Sequence, residues 1–164
     1  MFRKYVGSRA IAVLILGISI LIPGAGFAVA EESTAMVVAS RGTVTAEIAG
    51  DIRTLHQGDK IYVKEEIVTG DKSFAVLQFV DGAKVTVRPN SAVLIEDYVY
   101  NGTADDAATL SLVSGGLRVI TGAMAKSNPE NYKVRTPVAL MGVRGTEFAV
   151  MLCGDQICAE SELE

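Results

Sequence analysis

This sequence predicts an all-β domain, on three observations. From Met36 onward the apolar residues alternate or run in short blocks, and no segment holds a helical period. Glycine turns fall at Gly58, Gly70, Gly82 and Gly102, with gaps of 12, 12 and 20 residues; all-β domains commonly turn every ~8–12 residues. Val, Ile and Thr fill the intervening runs, and their branched Cβ atoms pack well on a pleated surface.

The elements follow in order. Val37-Val38 leads into a strand-like run, Gly42 to Ile48, stopped by Gly50-Asp51. Gln57-Gly58-Asp59 turns the chain into Lys60 to Val63, and Thr69 to Ser73 turns it into Phe74 to Val80. Asp81-Gly82 is a strong hairpin signal, after which Ala83 to Arg88 alternates as a half-buried strand should. Pro89-Asn90-Ser91 breaks the chain before Ala92 to Tyr100, and Asn101-Gly102 breaks it again. Thr109 to Val113, Leu117 to Ile120 and Tyr132 to Thr136 are the later strands, separated by Ser114-Gly115-Gly116 and the loop around Asn128-Pro129. Helix is plausible only at the Glu65-Glu66 bend and near Ala123 to Ser127. Phe74 to Val80 and Ala92 to Ile95 are apolar on both faces, which suits strands between two layers. A compact sandwich or roll and a short β-solenoid-like domain all remain open, since no repeat recurs strictly.

The N-terminus points to export. Arg3, Lys4 and Arg9 precede the apolar run Ile11 to Ile22, Pro23-Gly24-Ala25-Gly26 interrupts it, and Ala28-Val29-Ala30 stands ahead of Glu31. This is the plan of a signal peptide over residues 1–30, followed by a linker over 31–36 and the domain over 37–164. The alternative is an uncleaved anchor, because Ala10 to Ala30 carries no charge and a span of that length just crosses a bilayer of ~30 Å. Three of the fifteen basic residues lie in the leader and all nineteen acidic ones lie beyond it, so residues 31–164 carry a net −7. That balance argues against nucleic acid, which is bound through clustered Lys and Arg. No second apolar span follows the leader.

Cys153 and Cys158 flank Gly-Asp-Gln-Ile, a stretch able to turn as a hairpin. In an oxidising compartment a disulfide between them is the economical reading, adding about 2 kcal/mol for so small a loop. Two cysteines without neighbouring histidines do not complete a tetrahedral metal site.

Little else suggests chemistry. The lone His56 approaches a turn and reads as a surface histidine. Asp59, Asp71 and Asp81 each stand beside a turn glycine, where aspartate bonds backbone amides. A weak calcium site at Asp105-Asp106 is conceivable, but the ligand pattern of a dedicated loop is absent. Ser114-Gly115-Gly116 and Gly142 to Thr146 are glycine-rich without the lysine or the strand–loop–helix setting of a phosphate loop. No catalytic residue, cofactor or metal is expected.

Taken in order, the turns resemble the FecR-family domain, a periplasmic module associated with ferric-citrate regulation. The resemblance runs through Gly42-Thr43-Val44, Leu55 with Gly58-Asp59, Thr69-Gly70, Phe79 to Gly82, and Val85 to Ser91. It continues through Leu110 to Leu117, Val134 to Pro137, and Val143-Arg144-Gly145-Thr146-Glu147-Phe148, covering about residues 37 to 152. The resemblance implies a β-fold without catalysis, in which the Val143–Phe148 stretch is a strand bend. On the residues themselves, Gly142 and Gly145 supply unusual backbone geometry, and Arg144 pairs with an acidic neighbour or caps carbonyls. Only about eight residues precede the apolar run, so a cytoplasmic sigma-factor-regulating part is not expected.

The expected function is a non-enzymatic, exported binding or sensing module, periplasmic or secreted, whose partner is an unknown envelope protein or polymer. The alternative is a structural scaffold that self-associates through β edges. Mass spectrometry of protein from a secreting host is expected to find Glu31 as the N-terminus. Intact Met1 in the membrane fraction would establish the anchored form instead.

Overall fold

The computed structural model describes residues 32–153. These form β1 (Ala35–Arg41), β2 (Val44–Ile48), β3 (Asp51–Thr54), β4 (Lys60–Ile61), β5 (Glu66–Thr69), β6 (Phe74–Phe79) and β7 (Lys84–Val87). Then come β8 (Ala92–Val99), β9 (Ala107–Ser114), β10 (Gly116–Ile120), helix α1 (Ala123–Ser127), a 3-10 turn (Pro129–Asn131), β11 (Tyr132–Arg135), β12 (Leu140–Gly142) and β13 (Glu147–Met151).

The strands make two sheets, in the orders β13-β10-β7-β6-β1-β4 and β12-β11-β9-β8-β5-β2-β3. The fold is an all-β sandwich. The solenoid alternative falls, because parallel coils define that architecture and among the described residues only the β9–β11 pair is parallel. One core fills the space between the sheets. Leu77, Phe79, Val85, Leu117 and Val119 enter from the first sheet; Ile67, Ile95, Leu110, Leu112 and Tyr132 enter from the second.

Several elements differ from the sequence expectation. Residues 1–30, and Cys158 with the cysteine hairpin, lie outside the described residues. Ala35 and Met36, assigned to the linker, already belong to β1. β6 is not apolar-packed on both faces: Ala75, Leu77 and Phe79 are buried, whereas Phe74 and Val76 are half-buried and Val80 is exposed. A sandwich has only two layers, so the outer face meets water. In β8 the adjacent Ala92 and Val93 are both buried because a bulge interrupts the alternation between them.

β3 has no clear signal in the sequence. Its hairpin turns on Ala49 and Gly50, both at positive φ (51° and 91°), the geometry of a tight two-residue turn that normally selects Asn-Gly. The Glu65-Glu66 bend is not helical. Lys64 takes φ 71° in a turn, and Glu66 opens β5. Glu65 is buried, where its carboxylate accepts Arg53 Nε at 3.0 Å, Arg53 Nη2 at 2.9 Å and the Tyr62 N–H at 2.9 Å. Helix α1 forms where the sequence allowed it.

At one end of the sandwich four turns are locked by two serines. Ser73 Oγ accepts the Thr43 N–H at 2.9 Å and donates to the Asp71 carbonyl at 3.0 Å. Ser91 Oγ accepts the Gly116 N–H at 2.8 Å and donates to the Pro89 carbonyl at 3.1 Å. Each serine presses on a glycine at positive φ. A Cβ on Gly42 would lie 2.2 Å from Ser73 Oγ, and one on Gly115 would lie 2.3 Å from Ser91 Oγ. Thr69 joins the two clamps: its hydroxyl donates to the Arg88 carbonyl at 2.5 Å and accepts the Ser91 N–H at 3.1 Å. The Gly70 N–H reaches the Thr43 carbonyl at 3.0 Å, completing the link.

Removing either hydroxyl leaves a backbone N–H without its partner in a tight site. Ser73→Ala and Ser91→Ala are each expected to cost about 1–3 kcal/mol in urea unfolding. Because Thr69 and Ser91 share one network, Thr69→Val with Ser91→Ala should cost less than the sum of the single changes.

Candidate functional site

The opposite end is built around the passage from β12 to β13. β12 closes one side of the seven-stranded sheet and β13 one side of the six-stranded sheet, so residues 143–146 carry the chain from one layer to the other. Val143 is buried and its N–H donates to the Tyr132 carbonyl at 3.0 Å. Gly145 stands at φ +146°, a region that side-chain-bearing residues avoid. Thr121 holds the far side: its N–H donates to the Thr146 carbonyl at 2.9 Å and its hydroxyl to the Gly145 carbonyl at 2.9 Å. Glu147 pairs with Arg118 on β10, and Phe148 packs half-buried against the core.

Two sequence readings of this stretch are corrected. Arg144 pairs with nothing among the described residues; it is exposed, its acidic neighbour Glu147 is taken by Arg118, and the local carbonyls are taken by Thr121. Gly142 needs no special geometry: its φ is not positive, and a Cβ there would meet open space. The bend rests on Gly145 and Thr121.

Between β12 and β13 lies a groove of about 310 Å³, lined by Met141, Val143, Phe148 and Val150 with Arg144 at its border. Val138 and Leu140 nearby are 86% and 58% exposed. One wall is the edge of β13, which has no second neighbouring strand among the described residues. Since Thr146 and Leu152 bond toward β10, the even-numbered residues of β13 face that neighbour. The backbone N–H and C=O groups of Glu147, Ala149 and Met151 therefore point outward, away from the sheet. Among the described residues, apolar walls, a guanidinium without a partner and a row of outward backbone groups meet at this groove.

A buried polar centre supports this end of the domain. Asp81 Oδ1 accepts the Tyr98 hydroxyl at 2.6 Å and the Ala83 N–H at 2.9 Å, and Oδ2 accepts the Met124 N–H at 3.2 Å. Its carbonyl also takes the Ala123 N–H at 2.9 Å, so one residue anchors the start of α1. Tyr98 stacks on Phe79 with ring centroids 4.4 Å apart. Burial first, then the neighbouring Tyr132 and the hydrogen bond to Asp81, raise the Tyr98 hydroxyl pKa. Burial and Asp81 also raise that of Tyr132, whose hydroxyl has no partner among the described residues. Both phenols stay neutral, and Asp81 works as a brace.

The other singled-out residues are dispersed. His56 is exposed, with its N–H donating to Asp59 Oδ2 at 2.8 Å. Asp71 is exposed in its turn. Asp106 closes the loop after β8 by accepting the N–H groups of Asn101, Gly102 and Thr103 at 2.7, 2.9 and 3.1 Å. Desolvation opposes its charge, but these donors outweigh it and hold its pKa below the ordinary value. The structure gathers none of them at the groove.

Residues 65–160 match the FecR protein family. The chain belongs to that family. The matched stretch begins later than residue 37, where the resemblance in the sequence starts, and leaves β1–β4 outside it although apolar residues of β1, β2 and β4 enter the same core. Of this FecR-family chain, 37% aligns with 82% of a solved cell surface anchoring domain, at 31% identity and a TM-score of 0.36. No curated protein matches it significantly.

Arg144→Ala is expected to leave stability within about 0.5 kcal/mol, as for an exposed residue without partners. Gly145→Val should cost about 1–3 kcal/mol, because the branched residue is strained at that φ. Thermal unfolding of the two variants checks both values.

Proposed function

We propose that this FecR-family chain is a non-enzymatic, exported module of the bacterial envelope that binds an extended protein segment along β13. The groove beside β13 carries this reading, with its apolar walls, its outward backbone groups and Arg144, which has no partner among the described residues. A strand added there gains affinity from main-chain hydrogen bonds and specificity from the side chains it drops into the groove. Arg144 favours a partner segment bearing a carboxylate, with which guanidinium bonds strongly. Envelope location is supported by the family and by the leader-like residues 1–30.

Self-assembly as a scaffold draws on the same edge, so the test must separate the two. Affinity capture from an envelope extract is compared for the wild type, Arg144→Glu and Ala149→Pro. Proline at 149 removes an outward N–H without removing a bond to β10. A protein retained by the wild type and reduced about tenfold or more by both variants supports the reading; tenfold corresponds to ~1.4 kcal/mol. Concentration-dependent sedimentation of the purified domain, with no captured protein, would support the scaffold instead.

A further inference from the structure

From the two end strands of the seven-stranded sheet, we infer that the chain takes a second copy of itself as a partner, with β3 of one copy pairing antiparallel with β12 of the next. The inference rests on the fold and is independent of the partner proposed for β13.

The two edges match in backbone geometry. β3 ends the sheet on one side and β12 on the other. Leu55 donates its N–H to the Val44 carbonyl, so odd-numbered residues of β3 face β2, and the backbone groups of Ile52 and Thr54 point outward. Val143 donates to the Tyr132 carbonyl and Thr136 to that of Ala139, so the groups of Leu140 and Gly142 point outward from β12. Of the six pairings that cross the sheet, only β9–β11 is parallel, so β3 and β12 run in opposite directions. A copy added beside β3 with its sheet faces kept therefore presents its β12 antiparallel.

The side chains match as well. Val138, Ile52 and Leu140 are the three most exposed large apolar side chains among the described residues, Ile52 at 65%. Ile52 lies opposite Glu47 and Leu140 opposite Arg135, both on the face turned away from the core. Setting Ile52 against Leu140 covers both and continues one face across the joint. Such edges are ones that proteins cover or blunt.

Charge selects unlike edges. Beside β3 stand Glu47 and Glu66, opposite each other on neighbouring strands and without an ion pair among the described residues. Beside β12 stand Arg135 and Lys133, the latter also without an ion pair among the described residues. Joining β3 to β3 would gather the acids, and joining β12 to β12 would gather the bases; β3 against β12 brings opposite signs together. Because the contact uses a different surface on each copy, it repeats into a row of copies.

Sedimentation velocity of protein purified from a secreting host tests the pairing. The wild type should grow past the dimer as concentration rises. Ile52→Lys spoils one edge and Leu140→Glu the other, each by meeting like charge, and each variant alone should associate about tenfold or more weakly. Both sites are exposed, so thermal unfolding should stay close to the wild type. An equimolar mixture of the two variants should recover association, since each keeps the edge that the other lacks. A wild type that stays monomeric up to about 1 mM overturns the inference. So does undiminished association of either variant, which would place the contact on like edges or on β13. Loss of association in Ile52→Lys with its captured protein retained supports this inference beside the proposed function. Association that follows the mixing pattern, with no protein captured, keeps the inference and overturns the proposed function.

Discussion

The serine clamps are the constraint on which the rest depends. Four turns from both sheets converge at one end, with Thr69, Ser73, Ser91 and Gly116 buried among them. Ser73 and Ser91 each satisfy one backbone N–H and at the same time fix the turn that carries them. Their close approach excludes a side chain at Gly42 and Gly115. Thr69 then couples the clamps, so the spacing of the sheets at this end is set by hydrogen bonds as well as by the core.

With that end fixed, the far end carries the sheet switch. Asp81 ties the β6–β7 turn to α1 and to Tyr98, and Thr121, between β10 and α1, ties the end of β10 to the bend before β13. These contacts occupy the Gly145 and Thr146 carbonyls, Arg118 occupies Glu147, and Arg144 is left in solvent. Isolation of the guanidinium is thus a product of the framework around it.

Much of the fold was legible in the sequence because its signals are local. Asp81-Gly82 makes a hairpin on its own terms, and alternation over Lys84–Val87 assigns one face to the core. What was not legible depends on partners far along the chain. β3 is exposed and turns on Ala49, so neither periodicity nor turn chemistry marks it. Glu65 reads as part of a polar bend until Arg53 is brought beside it. The Val143–Phe148 stretch was recognisable as a bend, but the isolation of Arg144 was not, since that follows from Thr121 and Arg118 more than twenty residues upstream. Sequence marks the bend; only the assembled sheets show which of its groups stay unused.

The clamps also impose an order on maturation. Ser73 closes on Thr43, which lies thirty residues earlier, whereas Ser91 closes on Gly116, which lies twenty-five residues later. A chain that emerges N-terminus first has both halves of the first clamp available once residue 73 is out. The second must wait until residue 116 follows, and β13, which borders the groove, emerges later still. During such emergence both halves of the first clamp are present before β13 exists.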